Sequence, residues 1–69
     1  MIYDPRDAFE RRFNRLTIEL GSTLLAAKEL VRDARHEYDS YGIGEGWRYR
    51  DLRWSVDRMN ELKEEAKNA

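Results

Sequence analysis

The sequence predicts a mainly α-helical small domain: a long N-terminal helix, a short glycine-turn β-hairpin or loop, and a second helix that returns antiparallel to the first. Charged residues make up 39% of the chain at a net charge of −1, which is typical of solvated helical surfaces. Apolar residues recur at helical spacing on both sides of the glycine-rich stretch YGIGEGWRYRDL at positions 41–52. An all-α helical hairpin or a three-helix bundle is the alternative architecture.

The size and composition limit how this domain is stabilised. A chain of 69 residues forms one small domain, and a domain of this size buries a modest share of its surface. The chain has no cysteine and one histidine, so disulfides and thiolate metal sites are excluded. We expect no cofactor or bound metal, and we expect self-association or a protein partner to add stability. No signal peptide or membrane span is visible, so we expect a soluble protein made in the cytoplasm.

The first helix is predicted over about residues 5–38. Asp4 is a suitable N-cap, and Pro5 fits the first helical position. Apolar residues then follow one stripe of about 80° without a change of phase: Phe9, Phe13, Leu16, Leu20, Leu24, Ala27, Val31, Ala34 and Tyr38. A single helix about 50 Å long follows from this continuity, while two helices split at Gly21–Ser22 remain the alternative. Ile18 and Leu25 fall on the opposite side, as isolated exposed residues or as a second, weaker contact face.

The glycine-rich stretch is predicted to be a hairpin or irregular loop over about residues 39–49. Gly42 and Gly44 favour the end of a helix. Residues 40–43 and 47–49 are short runs rich in β-forming types, and the three residues between them suit a tight turn. We therefore expect Gly44 and Gly46 to form that turn, with at least one of them at positive φ.

The second helix is predicted over about residues 50–67. Its apolar face comprises Leu52, Val56, Met59, Leu62 and Ala66, and Trp54 points elsewhere. A helix of this length, about 25 Å, covers about half of the first helix. The length difference predicts that Phe9, Phe13 and Leu16 are left bare and contact a partner, unless the first helix folds over at Gly21.

Candidate chemistry is confined to binding. The sequence has no nucleophile elbow, phosphate-binding loop or metal-ligand cluster, so we do not expect an enzyme. Trp, Tyr and Arg dominate interface hot spots, and residues 47–54 contain six of them. Five of the six form a predicted partner-binding surface: Trp47, Arg48, Arg50, Arg53 and Trp54. The alternative is that Trp47 and Tyr49 form the core side of the hairpin while the arginines are solvated. Carboxylates flank the arginines, so we expect a protein rather than a nucleic acid.

The order of helix, glycine-turn hairpin and helix resembles the gpW-like head–tail joining proteins of tailed bacteriophages. The matching residues are SYGIGEGWRYRDL, at positions 40–52, followed by RWSVDRMNELKEE, and the likeness extends over about residues 25–66. The longer first helix and the absence of a basic C-terminal tail depart from the pattern of that family.

The resemblance implies an α-β-β-α fold and a non-enzymatic structural role. Proteins of this family form a neck ring that binds the portal and neighbouring copies and presents a surface to the tail. This chain would then be a homo-oligomeric virion component, with Arg48 and Arg50 at the hairpin. The alternative function is a small protein-binding regulatory module, such as a phage-encoded inhibitor of a host protein.

Overall fold

Three α-helices follow one another in the computed structural model of the protein, which describes residues 3–41 and 46–68. They are α1 (Pro5–Leu20), α2 (Thr23–Tyr41) and α3 (Gly46–Asn68). Helix α2 lies between the others in the chain and packs against both. The chain measures 39 × 30 × 19 Å. The mainly α-helical prediction is therefore confirmed, and the three-helix alternative describes the architecture better than a helix–hairpin–helix order does.

Helix α1 begins and ends with the residues that the sequence favours for those positions. The Asp4 carboxylate accepts a hydrogen bond from the Arg6 amide at 3.0 Å, and Pro5 occupies the first turn. Gly21 ends the helix in the left-handed region, with φ 73°, and its amide donates to the Thr17 carbonyl at 2.8 Å. A side chain at such a φ is unfavourable, which is why glycine suits this position.

The predicted single long helix is wrong, and the alternative of two helices split at Gly21–Ser22 is confirmed. Gly21 ends one helix, and the Ser22 hydroxyl starts the next by accepting from the Leu25 amide at 3.2 Å. The stripe keeps its phase in sequence across this break, and its members Phe9, Phe13 and Ala27 lie in the core, whereas Leu20 is exposed. Continuity of phase therefore did not distinguish one straight helix from two that fold back on each other.

The core includes residues from all three helices. Phe9 and Phe13 from α1 pack with Ala26, Ala27 and Leu30 from α2. Both alanines are fully buried, and their small side chains let neighbouring helices approach closely. Partly buried residues complete this cluster: Leu16, Trp54, Met59 and Leu62.

A buried serine contributes to the core from α3. Ser55 is 2% exposed, and its hydroxyl donates to the Asp51 carbonyl at 2.8 Å. That bond within the helix satisfies the polar group, so the serine packs like a small apolar residue.

The predicted bare surface on α1 is also wrong. Phe9 and Phe13 are buried by their own chain, and Leu16 is half-buried against the core. They were expected to be bare because a single 50 Å helix was too long for its partner, and that difference disappears once α1 folds back on α2. Trp54, predicted to point elsewhere, packs against Phe9 with ring centroids 5.8 Å apart.

The predicted hairpin is not seen in the described residues on either side of its turn. Residues 39–41 belong to α2, and residues 46–49 belong to α3. Gly46 is helical and does not have a positive φ, so that part of the turn prediction is wrong, while Gly44 lies outside the described residues. The β-forming types here are helical because helical spacing places Arg48 and Tyr49 against α2, and such packing overrides local propensity.

Ion pairs connect side chains of different helices. The Arg12 guanidinium lies 3.0 Å from the Asp33 carboxylate and joins α1 to α2. Arg58, whose side chain is largely buried, pairs with Glu10 and lies over the Phe13 ring at 4.6 Å, which joins α3 to α1. Across residues 3–41 and 46–68, none of the helices has a stretch long and apolar enough to span a membrane.

Candidate protein-binding surface

Aromatic rings and one guanidinium are stacked where the end of α2 meets the start of α3. The Arg48 guanidinium carbon lies 4.6 Å from the Tyr41 ring centroid and 4.5 Å from that of Trp47. On the adjacent turn, the Tyr38 and Tyr49 rings are 6.2 Å apart. We call Tyr41, Trp47, Arg48 and Tyr49 the aromatic corner.

The aromatic corner is largely exposed, and its side chains contact one another. Tyr41 is 67% exposed, Tyr49 54% and Trp47 40%. Arg48 is more buried, and its Nε atom has no hydrogen-bond acceptor among the described residues. Its guanidinium lies against the two rings, and a cation is attracted to the face of an aromatic ring. The corner thus presents exposed aromatic area together with a stacked arginine.

The other predicted site residues do not join this corner. Arg50 lies over the Trp54 ring at 4.9 Å, and Arg6 from α1 lies over the same ring at 5.0 Å. This second cluster fixes α1 against α3 and includes the Phe9 contact described above. Arg53 is exposed and pairs with Asp57 at 3.5 Å. Of the five residues predicted as one binding surface around the second helix, only Trp47 and Arg48 lie in the corner. The three residues predicted as a separate contact on the first helix, Phe9, Phe13 and Leu16, lie in or against the core.

Tyr41 was not predicted as a surface residue from the sequence, whereas Tyr38 was placed on the apolar stripe. Residues 39–49 were assigned to a hairpin or loop, so Tyr41 had no helical register. Had α2 been continued to Tyr41, the spacing of Tyr38 and Tyr41 would have placed both tyrosines on neighbouring positions of one helix. The signal was therefore present, but it depended on the position where the helix ends.

A cleft of about 170 Å³ lies where the start of α1 meets α2 and α3. Its charged lining residues are two arginines and two carboxylates: Arg12, Arg50, Glu37 and Asp51. The Arg50 Nε lies 3.5 Å from the Asp51 carboxylate, and Arg12 is paired with Asp33. A lining of balanced charges offers no excess field for a small charged ligand. Within the described part of the chain, no group of three His, Asp or Glu side chains is arranged to hold a metal ion.

Comparison with known proteins identified no relative of this chain. No family model matches the chain, and neither a curated protein nor a solved structure matches it. The resemblance to phage head–tail joining proteins therefore stays a prediction, and so do the ring assembly, the portal partner and the virion location that it implies.

Proposed function

We propose that this protein is a small non-enzymatic protein-binding module whose contact surface is the aromatic corner. The observation that carries the proposal is the exposed stack of Tyr41, Arg48 and Trp47, continued by Tyr49. Interface hot spots are enriched in tryptophan, tyrosine and arginine. These four residues supply all three types on one side of the bundle.

The contacts within the corner are a second argument for binding, in addition to its exposure. Immobilising a flexible side chain on binding costs about 0.5–1.5 kcal/mol. Arg48 already lies between two rings, so less of this cost falls on complex formation. Tyrosine and tryptophan also offer large contact areas with few rotatable bonds. A partner can therefore dock on the corner with little reordering of this chain.

The choice between an adaptor and a regulator depends on self-assembly. The ring-adaptor hypothesis drew on a bare Phe9–Phe13–Leu16 surface and on a hairpin. Those three residues lie in or against the core, and the described residues of the predicted hairpin, 39–41 and 46–49, lie in helices. The binding-module hypothesis requires neither feature. It is therefore the hypothesis that the exposed corner supports better.

A site-specific crosslink tests the proposal. A photoreactive phenylalanine analogue replaces Trp47, and the protein is irradiated in the cells that produce it. We expect a protein adduct that identifies a partner, which is then purified and mixed with the wild-type chain. Binding should weaken by at least about tenfold for Tyr49→Ser, because hot-spot truncations cost about 2 kcal/mol or more.

The matched control places the same photoreactive residue at Arg11 on α1, where the side chain is exposed and far from the corner in the chain. The same adducts from both positions would contradict the proposal. So would a purified partner whose affinity is unchanged by Tyr49→Ser, provided that circular dichroism shows the variant to be folded.

A further inference from the structure

A second surface follows one side of α2. Residues at successive spacings of four and three fall on one side of a helix. In α2 that spacing alternates apolar and basic residues, namely Leu24, Lys28, Val31, Arg35 and Tyr38. The apolar members are half-buried, and Lys28 and Arg35 are exposed. This stripe contains no acidic residue.

A similar stripe follows α3. The same spacing, with Leu52 beside it, comprises Tyr49, Leu52, Arg53, Val56, Asn60, Lys63 and Lys67. These positions span about 100° of the helix surface. Leu52 and Val56 are half-buried, whereas Lys63 and Lys67 are exposed. All the acidic residues of α3 fall outside this arc.

The two stripes lie side by side on one face of the bundle. Tyr38 belongs to the α2 stripe and Tyr49 to the α3 stripe, and their rings are in contact. Helix α1 contacts other sides of both helices, through Asp33 of α2 and through Trp54 and Arg58 of α3. The face formed by the two stripes, which we call the basic groove, is therefore the one that points away from α1.

The cations of the basic groove differ from most others in the protein. The arginines of α1 each have a carboxylate partner. By contrast, Lys28, Arg35, Lys63 and Lys67 form no ion pair with any described carboxylate. Arg53 is paired, with Asp57 at the edge of its stripe. The face thus combines an apolar line with four cations available to a partner.

We infer that the basic groove binds an acidic amphipathic helix of another protein. An amphipathic helix places its apolar face into such a groove and presents charges on either side. From Leu24 to Tyr38 the groove is about 21 Å long at 1.5 Å per residue, which fits about four turns. Carboxylates flanking the apolar positions of that helix would meet Lys28 and Arg35 on one side and Lys63 on the other.

Other occupants match these features less well. A second copy placed face to face would bring like charges together, which opposes pairing. A lipid surface favours protruding apolar side chains, whereas the leucines and valines here are half-buried between the helices. Nucleic acid needs phosphate contacts and base stacking, and aliphatic residues make up most of the line in the groove.

Peptide titration with the whole chain tests the inference. The probe is a synthetic helix of about 18 residues, with leucines at heptad spacing and flanking glutamates. The control probe carries lysines in place of the glutamates. We expect saturable binding of the acidic probe, with methyl signals of Leu24, Val31 and Val56 shifting in NMR spectra. Binding of the lysine probe should be weaker by at least about tenfold.

Charge reversal on the protein provides the matched comparison. Arg35→Glu with Lys63→Glu should weaken acidic-probe binding by at least about tenfold, whereas Arg11→Glu with Arg15→Glu makes the same charge change on α1 and should alter it less than about threefold. Equal weakening by both pairs would overturn the inference, because net charge would explain it. Failure of the acidic probe to bind would also overturn it.

Further outcomes separate the partner classes. Tighter binding to anionic vesicles or to a single-stranded oligonucleotide than to the acidic probe would overturn the inference. So would a solution dimer whose interface contains Arg35. The inference rests on the proposed function in assuming a protein partner, but it concerns a different surface, which shares only Tyr49 with the aromatic corner. Signals that shift at Trp47 and Tyr41 instead of Val31 would favour the aromatic corner and contradict the groove, whereas the crosslink at position 47 tests the corner alone.

Discussion

The two ends of α2 are joined to their neighbours by different physical means. At the α1–α2 junction, Gly21 adopts a left-handed conformation and Ser22 caps the next helix, so backbone and cap hydrogen bonds define the turn. At the α2–α3 end, side chains stack across the helices, with Arg48 against Tyr41 and Tyr49 against Tyr38. The first arrangement leaves little exposed aromatic area, whereas the second leaves enough to serve a partner. One end of α2 is therefore held by a hydrogen-bonded turn, and the other end carries the exposed aromatic side chains that are available to a partner.

Removing a large side chain from the core should have the largest effect. Phe13 is buried against α2 and beneath Arg58. Phe13→Ala should lower the free energy of unfolding by about 3–5 kcal/mol, as measured by urea denaturation. The control is Ile18→Ala, since Ile18 is 83% exposed and should change stability by less than about 0.5 kcal/mol. If Phe13→Ala weakened assembly but left the free energy of unfolding unchanged, Phe13 would instead act in a contact between molecules.

The α1–α2 junction can be tested through its backbone. Gly21→Ala forces a side chain into the left-handed region and should cost about 1–2 kcal/mol in unfolding free energy. The same change at Gly46 is the control, because a Cβ there meets no atom within 4 Å and φ is not positive. Gly46→Ala should be neutral or slightly stabilising. Equal effects at both glycines would show that the left-handed turn does not determine where α1 ends.

The α2–α3 end can be tested through its stacked arginine. Arg48→Ser removes two ring contacts, each worth about 0.5–1 kcal/mol at a partly exposed site. We therefore expect a loss of about 1–2 kcal/mol in unfolding free energy, and a change in tryptophan fluorescence from Trp47. Arg53→Ser serves as the control, because its exposed pair with Asp57 should be worth less than about 1 kcal/mol.

That comparison also sharpens the sequence-based prediction that Arg48 and Arg53 belong to a partner-binding surface. The contacts favour a shared role for Arg48 and a purely surface role for Arg53. A fully stable Arg48→Ser variant that loses its partner would restore the original expectation for Arg48.

The smallest expected effect concerns the cap of α2. Ser22→Ala removes the hydroxyl that accepts from the Leu25 amide and should cost about 0.5–1 kcal/mol. Amide hydrogen exchange should accelerate in the first turn of α2 more than elsewhere. Ser40→Ala, at an exposed position near the other end of the same helix, should leave that turn unchanged. Uniform acceleration in both variants would mean that the cap has no local effect.

Sequence signals that act over a few residues predicted the start of a helix and its core-facing side chains correctly. Asp4 and Pro5 start α1 as expected, because capping depends on neighbouring atoms alone. The apolar residues Met59 and Leu62 of α3 pack against the core as the periodicity indicated. The same method missed Ala26 and Leu30, since a helix that packs against two others buries a wider face than one stripe describes.

The candidate site was less predictable because its geometry depends on tertiary packing. Trp47 and Trp54 are seven residues apart and were assigned to one surface, yet Trp54 packs on Phe9 from α1. Nothing local distinguishes these two tryptophans. Their separation arises from where α1 lies, which in turn depends on the left-handed glycine at position 21. An error at one turn thus propagated to the assignment of the binding residues.

The chain order of the helix contacts also has a kinetic consequence. Helix α2 makes the main contacts with its immediate neighbours in sequence, α1 and α3. Proteins built from such local contacts have low contact order and fold in about microseconds to milliseconds. By contrast, the pairing of Arg58 with Glu10 closes α1 against α3 across 48 residues of sequence. If this closure follows the rate-limiting step, Arg58→Ala should leave the refolding rate nearly unchanged and accelerate unfolding.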